Sequence, residues 1–576
     1  MRFITRPLIM GTHGVVSSGH YLASMIGLKV LEEGGNAIDA GVAAGLALAV
    51  LEPNNYTIGG EAPILVYSAE DRKVYAINGQ GTAPKAATIV WFRSRGIKII
   101  PGDGFLPATV PAAFDSWITA LSRFGTLSLA DVLTPAIELA EKGFPIYEYL
   151  HESLKLHSKR FIDEWPTTAE IFLPNGEVPK VGEILVQSDL AETFRRILEA
   201  ERRNLHKGRE KALQAARDYF YRGEIARKIV KFIHETEILD ASGMRNRGLL
   251  SLEDFASYRT KIEEPVTTNY RGYQVYKCGP WTQGPVFLQQ LNILEGFDLT
   301  SMEHNSTDYI HTVVESAKLA FADREKYYGD PDFVYVPLKK LLSKDYAAER
   351  RRLIEPEKAS LELRPGDVDS ITLSDKGSGN MDFDTTHLDV IDGSGNMISA
   401  TPSGGWIQSS PIIEGLGFPL GTRGQMFHLS PEHPDALAPR KRPSATLTPS
   451  LVMKDGNPFM VFGTPGGDQQ DQWTLQFFLN FVDFKMNLQE AIDAPTFHTL
   501  HFPGSFYPHN AHPGVLALED RIPEEVRDGL IERGHKIQVD DGWSHGRVTA
   551  VMIDHENSVI VGAASPRFGV AYSVGW

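Results

Sequence analysis

Apolar residues recur along this chain with two different periods, and the change from one to the other divides it. Residues 17–51 predict a helix pair. The first helix carries Leu22, Ile26, Leu28, Val30 and Leu31 and stops at Gly34-Gly35, because paired glycines after a periodic run end a helix. The second, 37–51, is a run of small and aliphatic residues with a single charge, Asp39. It falls short of the about 20 apolar residues that span a bilayer, so it reads as a buried helix whose Ala and Gly permit close packing. Residues 64–67 and 74–78 flank a polar turn at 70–72 and predict two strands. From about 116 to 262 the pattern is mainly helical, with 129–142 and 190–202 as examples. Residues 194–213 mix Arg, Lys and Glu with apolar residues at helical spacing. That stretch fits a solvated helix laced with ion pairs, and it also fits a basic docking patch.

After residue 384 the period shortens to two. Hairpins are predicted at 388–401 around Asp392-Gly393-Ser394-Gly395-Asn396, at 450–462 around Asp455-Gly456-Asn457, and at 548–563 around 555–558. Helical patterns intervene at 474–484 and 488–494. Hairpins with helices packed outside predict a layered α+β body, which the helical N-terminal part covers and completes.

Composition narrows the classes. A length of 576 residues fits roughly two to four domains or one interlocked unit. The net charge of -16 argues against nucleic acid or an anionic membrane as a general partner, since both need positive charge. One cysteine, Cys278, permits no internal disulfide and no Cys metal cluster; it reads as a passive buried thiol, with a catalytic thiol as the other reading. His498, His501, His509 and His512 crowd a proline-rich, loop-like stretch without zinc-type spacing. Neither a metal nor a cofactor is expected. The start of the chain, Met1 to Gly11, lacks the apolar region of a secretory signal, so the expected location is cytoplasmic.

Candidate chemistry begins at Asp384-Thr385-Thr386-His387, the head of the first hairpin. Attack of Thr385 on the carbonyl of Asp384 would shift the acyl group from nitrogen to oxygen, and hydrolysis of that ester would cut the chain. The freed Thr385 would carry a hydroxyl nucleophile and an α-amine base in one residue. The amine has an ordinary pKa of about 7.7–8.0, which burial lowers. Two β-branched threonines also simply begin a strand, and the tetrapeptide alone does not separate the readings. Gly463-Thr464-Pro465-Gly466-Gly467-Asp468 follows a strand. Its glycines let backbone N–H groups face an oxyanion, although a plain turn fits too. The lysine of a phosphate-binding loop is absent. Residues 441–449 offer the Ser444 and Thr446 hydroxyls to substrate or to the sheet.

In this order the segments resemble the gamma-glutamyltransferase family of N-terminal nucleophile hydrolases over nearly the whole chain. The resemblance rests on Glu33-Gly34-Gly35-Asn36-Ala37-Ile38-Asp39-Ala40, Tyr270-Arg271-Gly272-Tyr273, Ala322-Asp323-Arg324 with Tyr328-Gly329-Asp330-Pro331-Asp332, and the 384–387, 441–449 and 465–467 segments. It implies a four-layer αββα sandwich formed by two subunits cut from one precursor, residues 1–384 and 385–576. It implies an acyl ester on Thr385, released by water or by an amine acceptor. Gly466 and Gly467 match the oxyanion glycines, and Ser403 stands where the family has a supporting threonine.

The departures bear on substrate. Gln80 occupies the position of an arginine that holds the glutamyl carboxylate in glutathione-cleaving members, and glutamine cannot form a charge-assisted clamp. The segment Gly424-Gln425-Met426-Phe427-His428 lacks the paired aspartates that hold the glutamyl amine. Gly405 replaces an asparagine, and Ala445 and Thr446 replace paired serines. Arg423 is a candidate for a different carboxylate and equally a structural arginine. Candidate substrate-binding positions are therefore Gln80, Arg423, Gln425, Ser444, Ala445 and Thr446. The expected activity is amide hydrolysis through Thr385 on a small carboxylated or acyl amide, such as the oxamate-type and cephalosporin-type amides handled by relatives, rather than on glutathione. The alternatives are a true glutathione hydrolase or transpeptidase, and an unprocessed binding protein without catalysis.

Overall fold

Two seven-stranded sheets face each other at the centre of the computed structural model, which describes residues 3–367, 371–372 and 384–576. Met1, Arg2, 368–370 and 373–383, all within the predicted 1–384 segment, lie outside the described residues. The first sheet runs Tyr572–Gly575, Gly14–Ser18, Leu388–Asp392, Met397–Ala400, Ile64–Ser68, Lys73–Asn78, Lys261–Glu263 from edge to edge. The second runs Ile9–Gly11, Val559–Ala564, Thr549–Asp554, Asn457–Gly463, Ser450–Lys454, Tyr273–Lys277, Val266–Tyr270. Every pairing in both is antiparallel.

Alternation along the strands divides the core. Val15, Leu65, Ile391 and Met397 of the first sheet meet Leu451, Val461, Val551 and Ile560 of the second in one apolar cluster between the sheets. Their neighbours Val16, Val66, Val390 and Ile398 point the other way, into a cluster shared with the helices Ala37–Leu51 and Leu129–Lys142. On the second sheet, Val275, Val452, Met460 and Phe462 turn toward the helices Gly284–Leu294, Thr307–Tyr327 and Gln470–Val482. Strands buried on both faces read as continuous apolar runs, because successive side chains serve opposite layers. Cys278 sits between the sheets, where burial pushes its thiol far above the ordinary range, so it is an inert core residue.

The helix Ala37–Leu51 is buried along its whole length. Asn36 caps it, in a reciprocal pair with Asp39. Its glycines are there for contact: a Cβ on Gly41 would lie 2.7 Å from the Ile398 side chain, and one on Gly45 would lie 2.3 Å from the Trp117 ring. The helix is also tied to the hairpin turn below it, since Ala37 N–H donates to Asp392 Oδ2 at 2.9 Å. Asp392 in turn shapes the turn by accepting from Ser394 and Asn396 N–H at 2.9 and 3.0 Å. Among the described residues no helix is long and apolar enough to cross a membrane.

One expectation changes. Residues 17–20, predicted as helix, close the strand Gly14–Ser18 and cap the helix Tyr21–Glu32, with His20 Nδ1 accepting from Leu22 N–H at 3.2 Å. The region before 384 covers and completes the sheets, its strands interleaving with those after 384 in both of them. Residues 194–213 span parts of two helices, Ser188–Arg202 and Arg209–Tyr221, and the turn between them; Arg196 pairs with Glu192 and Glu224, and Arg203, just past the first helix, with Glu199. This is the solvated helix rather than the docking patch. Replacing Gly45 by Ala is expected to lower the thermal midpoint, because overpacking against the buried Trp117 costs about 1–3 kcal/mol and outweighs the up to about 1 kcal/mol of helix propensity gained. A raised midpoint in a melting curve would show that the Trp117 ring yields.

Candidate active site

The hairpin places Thr385. Leu388 pairs with Ala400, and the same register carries on past the ladder to an isolated bridge between Thr385 and Ser403. Thr385 Oγ1 lies 3.0 Å from Ser403 Oγ. Ser403 Oγ donates to the carbonyl of Asp384 at 3.2 Å and accepts from Arg423 at 3.0 Å. A serine hydroxyl has one proton and two lone pairs. With its proton on the Asp384 carbonyl, Ser403 must accept the hydroxyl proton of Thr385. The same carbonyl receives a second bond, from the Trp406 indole N–H at 2.6 Å. The peptide bond before Thr385 thus has a hydroxyl on one side and two donors on its oxygen.

Buried polar groups brace this arrangement. Arg423 is fully buried, donates to Glu61 Oε1 through Nε at 2.6 Å, and stacks 4.9 Å from the Trp406 ring. Burial pushes the Glu61 carboxyl up, against the pull of Arg423. The Thr386 hydroxyl donates to Glu52, another buried carboxyl that desolvation raises and Arg547 opposes. His387 turns away from Thr385, with its ring nitrogens 2.8 Å from Thr401 Oγ1 and 3.0 Å from Asp389 Oδ1.

Asp384 lines a cavity of about 610 Å³ together with Tyr149, Gly466, Gly467, Trp473 and Arg547. Its Oδ2 accepts from the Tyr149 hydroxyl at 2.8 Å and from the Arg547 guanidinium, and its Oδ1 from Thr385 N–H at 2.8 Å. Arg547 also donates to the Thr385 carbonyl at 3.1 Å, and its own N–H to Thr464 Oγ1 at 2.8 Å. The turn after Thr464 needs its glycines. Gly466 has φ +125, and a Cβ there would lie 2.2 Å from the Trp473 ring; Gly467 has φ +56.

A family model described as gamma-glutamyltranspeptidase matches residues 23–574. The chain belongs to the gamma-glutamyltranspeptidase family. It is 34% identical over 566 residues to the glutathione hydrolase-like YwrD proenzyme of Bacillus subtilis (strain 168), covering 97% of this chain and 98% of that one. The solved structure of LmbA2991HD matches with a TM-score of 0.94 at 44% identity over 100% of both chains. The crystal structure of cephalosporin acylase from Bacillus halodurans matches with a TM-score of 0.85 at 33% identity, over 100% of this chain and 98% of that one. As a member of the family, the protein is an enzyme that hydrolyses or transfers at amide bonds.

Against that family background, the predicted residues fall into two groups. Asp384, Thr385, Ser403 and Arg423 form one hydrogen-bonded chain, and Gly466 and Gly467 line the cavity that Asp384 enters. The rest lie apart from it. Gln80 is fully buried, and its side-chain amide makes no hydrogen bond among the described residues. Gln425 staples a loop, donating to Gly102 O at 2.9 Å and accepting from Tyr507 N–H at 3.1 Å. Ser444 bonds to the buried Asp435, and Ser444 and Ala445 line a separate space of only about 30 Å³. Thr446 is buried. Among the described residues one group has metal-ligand spacing, His311, Glu315 and His535, but Lys318 and Arg364 already hold its carboxylate.

Sequence reasoning missed Glu52, Glu61, Tyr149, Trp406 and Arg547. Trp406 alone had a local cue, its closeness to Ser403. Changing Arg423 to Met strands Glu61 without its partner, which for a buried pair costs about 3–5 kcal/mol. The expected result is a clear drop in thermal midpoint. An unchanged midpoint with a raised KM would instead assign Arg423 to substrate.

Proposed function

We propose that this protein is a proenzyme that cuts itself between Asp384 and Thr385 and then hydrolyses small amides through an acyl ester on Thr385. The observation that carries this reading is the proton path from Thr385 through Ser403 to the Asp384 carbonyl, with Trp406 as a second donor on the same oxygen. In the cut, Thr385 Oγ bonds to the Asp384 carbonyl carbon. Its proton goes to Ser403 as Ser403 protonates the carbonyl oxygen. Collapse breaks the C–N bond and returns a proton to nitrogen, leaving an ester and a free amine. Water then splits the ester into the Asp384 carboxylic acid and the Thr385 hydroxyl. In turnover the α-amine of Thr385 serves as the base, and Gly466 and Gly467 hold the oxyanion.

Two subunits, 1–384 and 385–576, stay together in this reading because each sheet interleaves strands from both. The facing sheets with helices outside support the four-layer αββα sandwich. The substrate is a small carboxylated or acyl amide rather than glutathione, with water or an amine as acceptor. Gln80 and Gln425 supply no charges for a γ-glutamyl head, and the space beside Ser444 and Ala445 is too small to hold one. Cephalosporin acylase among the related structures supports an acyl amide; the glutathione hydrolase-like relative favours the other reading.

Mass spectrometry of purified protein is expected to find two fragments, one beginning at Thr385, and a single intact chain for Thr385→Ala. Trp406→Phe removes one donor from the attacked carbonyl and should slow the cut by about 10²–10³-fold, the usual worth of an oxyanion donor. An uncut wild-type chain overturns the reading. Robust turnover of a γ-glutamyl anilide, lost in Thr385→Ala, would keep the mechanism and replace the substrate by glutathione-type amides.

A further inference from the structure

Asp384 plays two parts in the uncut chain. Its carbonyl is the group under attack. Its side chain is held separately, by the Tyr149 hydroxyl at 2.8 Å and by the Arg547 guanidinium. Neither of those two groups depends on the bond before Thr385. Arg547 is fixed to the Thr385 carbonyl at 3.1 Å and, through its N–H, to Thr464 Oγ1 at 2.8 Å beside the glycine turn. The Tyr149 and Phe568 rings flank its guanidinium at 5.1 and 5.3 Å. Tyr149 projects from the helix Glu148–Glu164. Both donors line the same cavity as Gly466 and Gly467.

Once Asp384 leaves, Arg547 keeps the through-space pull of the buried Glu52, which is bonded to Thr386, but loses its hydrogen-bonded anion; a buried guanidinium without such a partner is destabilised, so a site that has lost its tethered carboxylate takes up another. We propose that Arg547 and Tyr149 form the carboxylate-binding subsite of the mature enzyme, and that the side chain of Asp384 fills it in the precursor. The inference rests on the reading of Thr385 as nucleophile and names its substrate class. In aspartate, two carbons separate the side-chain carboxylate from the backbone carbonyl. An acyl group that takes the place of Asp384 therefore carries its carboxylate about two carbons from the bond that is cut. Amides of succinic acid and close homologues have this form. A γ-glutamyl group sets its carboxylate one carbon further away and adds an ammonium.

Succinate is the probe, with dimethyl succinate as the uncharged control and the thermal midpoint as the readout. Succinate should raise the midpoint of the mature enzyme and of a Thr385→Ala, Asp384→Gly precursor whose subsite is empty. It should leave the Thr385→Ala precursor, whose subsite is filled, unmoved. In turnover, succinyl p-nitroanilide should be preferred over butyryl p-nitroanilide, and Tyr149→Phe should cut that ratio of kcat/KM values by about tenfold, the worth of one hydrogen bond to a charge. Arg547→Gln should abolish the preference; if that variant fails to fold or mature, Tyr149→Phe decides. Equal response of the two precursors, no response of the Asp384→Gly form, or a mature enzyme blind to succinate because the cut end stays in place would each overturn the subsite. The two readings fail separately. A chain cut at Thr385 that cleaves butyryl amides without carboxylate preference defeats the subsite alone. An uncut wild-type chain defeats the nucleophile, and the Asp384→Gly precursor still reports on the subsite.

Discussion

Ser403 has one proton to give and two lone pairs to offer, and the chemistry of this site follows from how those are spent. The Asp384 carbonyl takes the proton, and Arg423 takes one lone pair. What is left can only accept from Thr385. The direction of the hydrogen bond between two hydroxyls, which is otherwise free to reverse, is thereby settled by a buried arginine. Arg423 is itself held by Glu61, so a carboxylate on the loop before Ile64–Ser68 orients a proton more than three hundred residues further along the chain, beside the peptide bond that precedes Thr385.

The sheets exist in a form that makes this possible. Thr385 and Ser403 meet only because Leu388–Asp392 and Met397–Ala400 pair in one register, and a slip of one strand by one residue would turn its hydroxyl to the face opposite the other. The register is held by Asp392 at the turn and by alternating apolar residues that commit each strand face to a different cluster. Between the sheets a polar strut adds to the apolar contacts. Asp389 accepts from Ser399 at 2.8 Å in its own sheet and from Thr549 at 2.9 Å in the other. His387 belongs to that strut rather than to the hydroxyl pair of Thr385 and Ser403. Gly463 makes room for its ring, since a Cβ there would lie 2.2 Å from it.

Much of the scaffold was legible along the chain because it is local. The close-packed helix at 37–51, the hairpins at 388–401 and 450–462 and the glycine turn at 466–467 follow from periodicity and turn chemistry, which act over a few residues. Only the last two residues of the strand Gly14–Ser18 fall within the predicted helix, because the strand runs almost directly into Tyr21–Glu32. A strand buried on both faces has no alternation to betray it.

Order along the chain pointed to Thr385, Ser403 and the two glycines only through the family resemblance of the segments together, since the 384–387 tetrapeptide by itself also fits the start of a strand and the glycines a plain turn. It was not enough to find what surrounds them. Arg547 meets Asp384 across 163 residues of chain and Tyr149 meets it across 235, while Arg423 reaches Glu61 across 362. A lone arginine or tyrosine has no local signature for its partner, because a charge pair is chosen by burial and proximity after the layers have closed. The carboxylate of Asp384 is the clearest case. In the linear chain it is one more acid before a threonine, and only the folded protein turns it toward a guanidinium and a phenol.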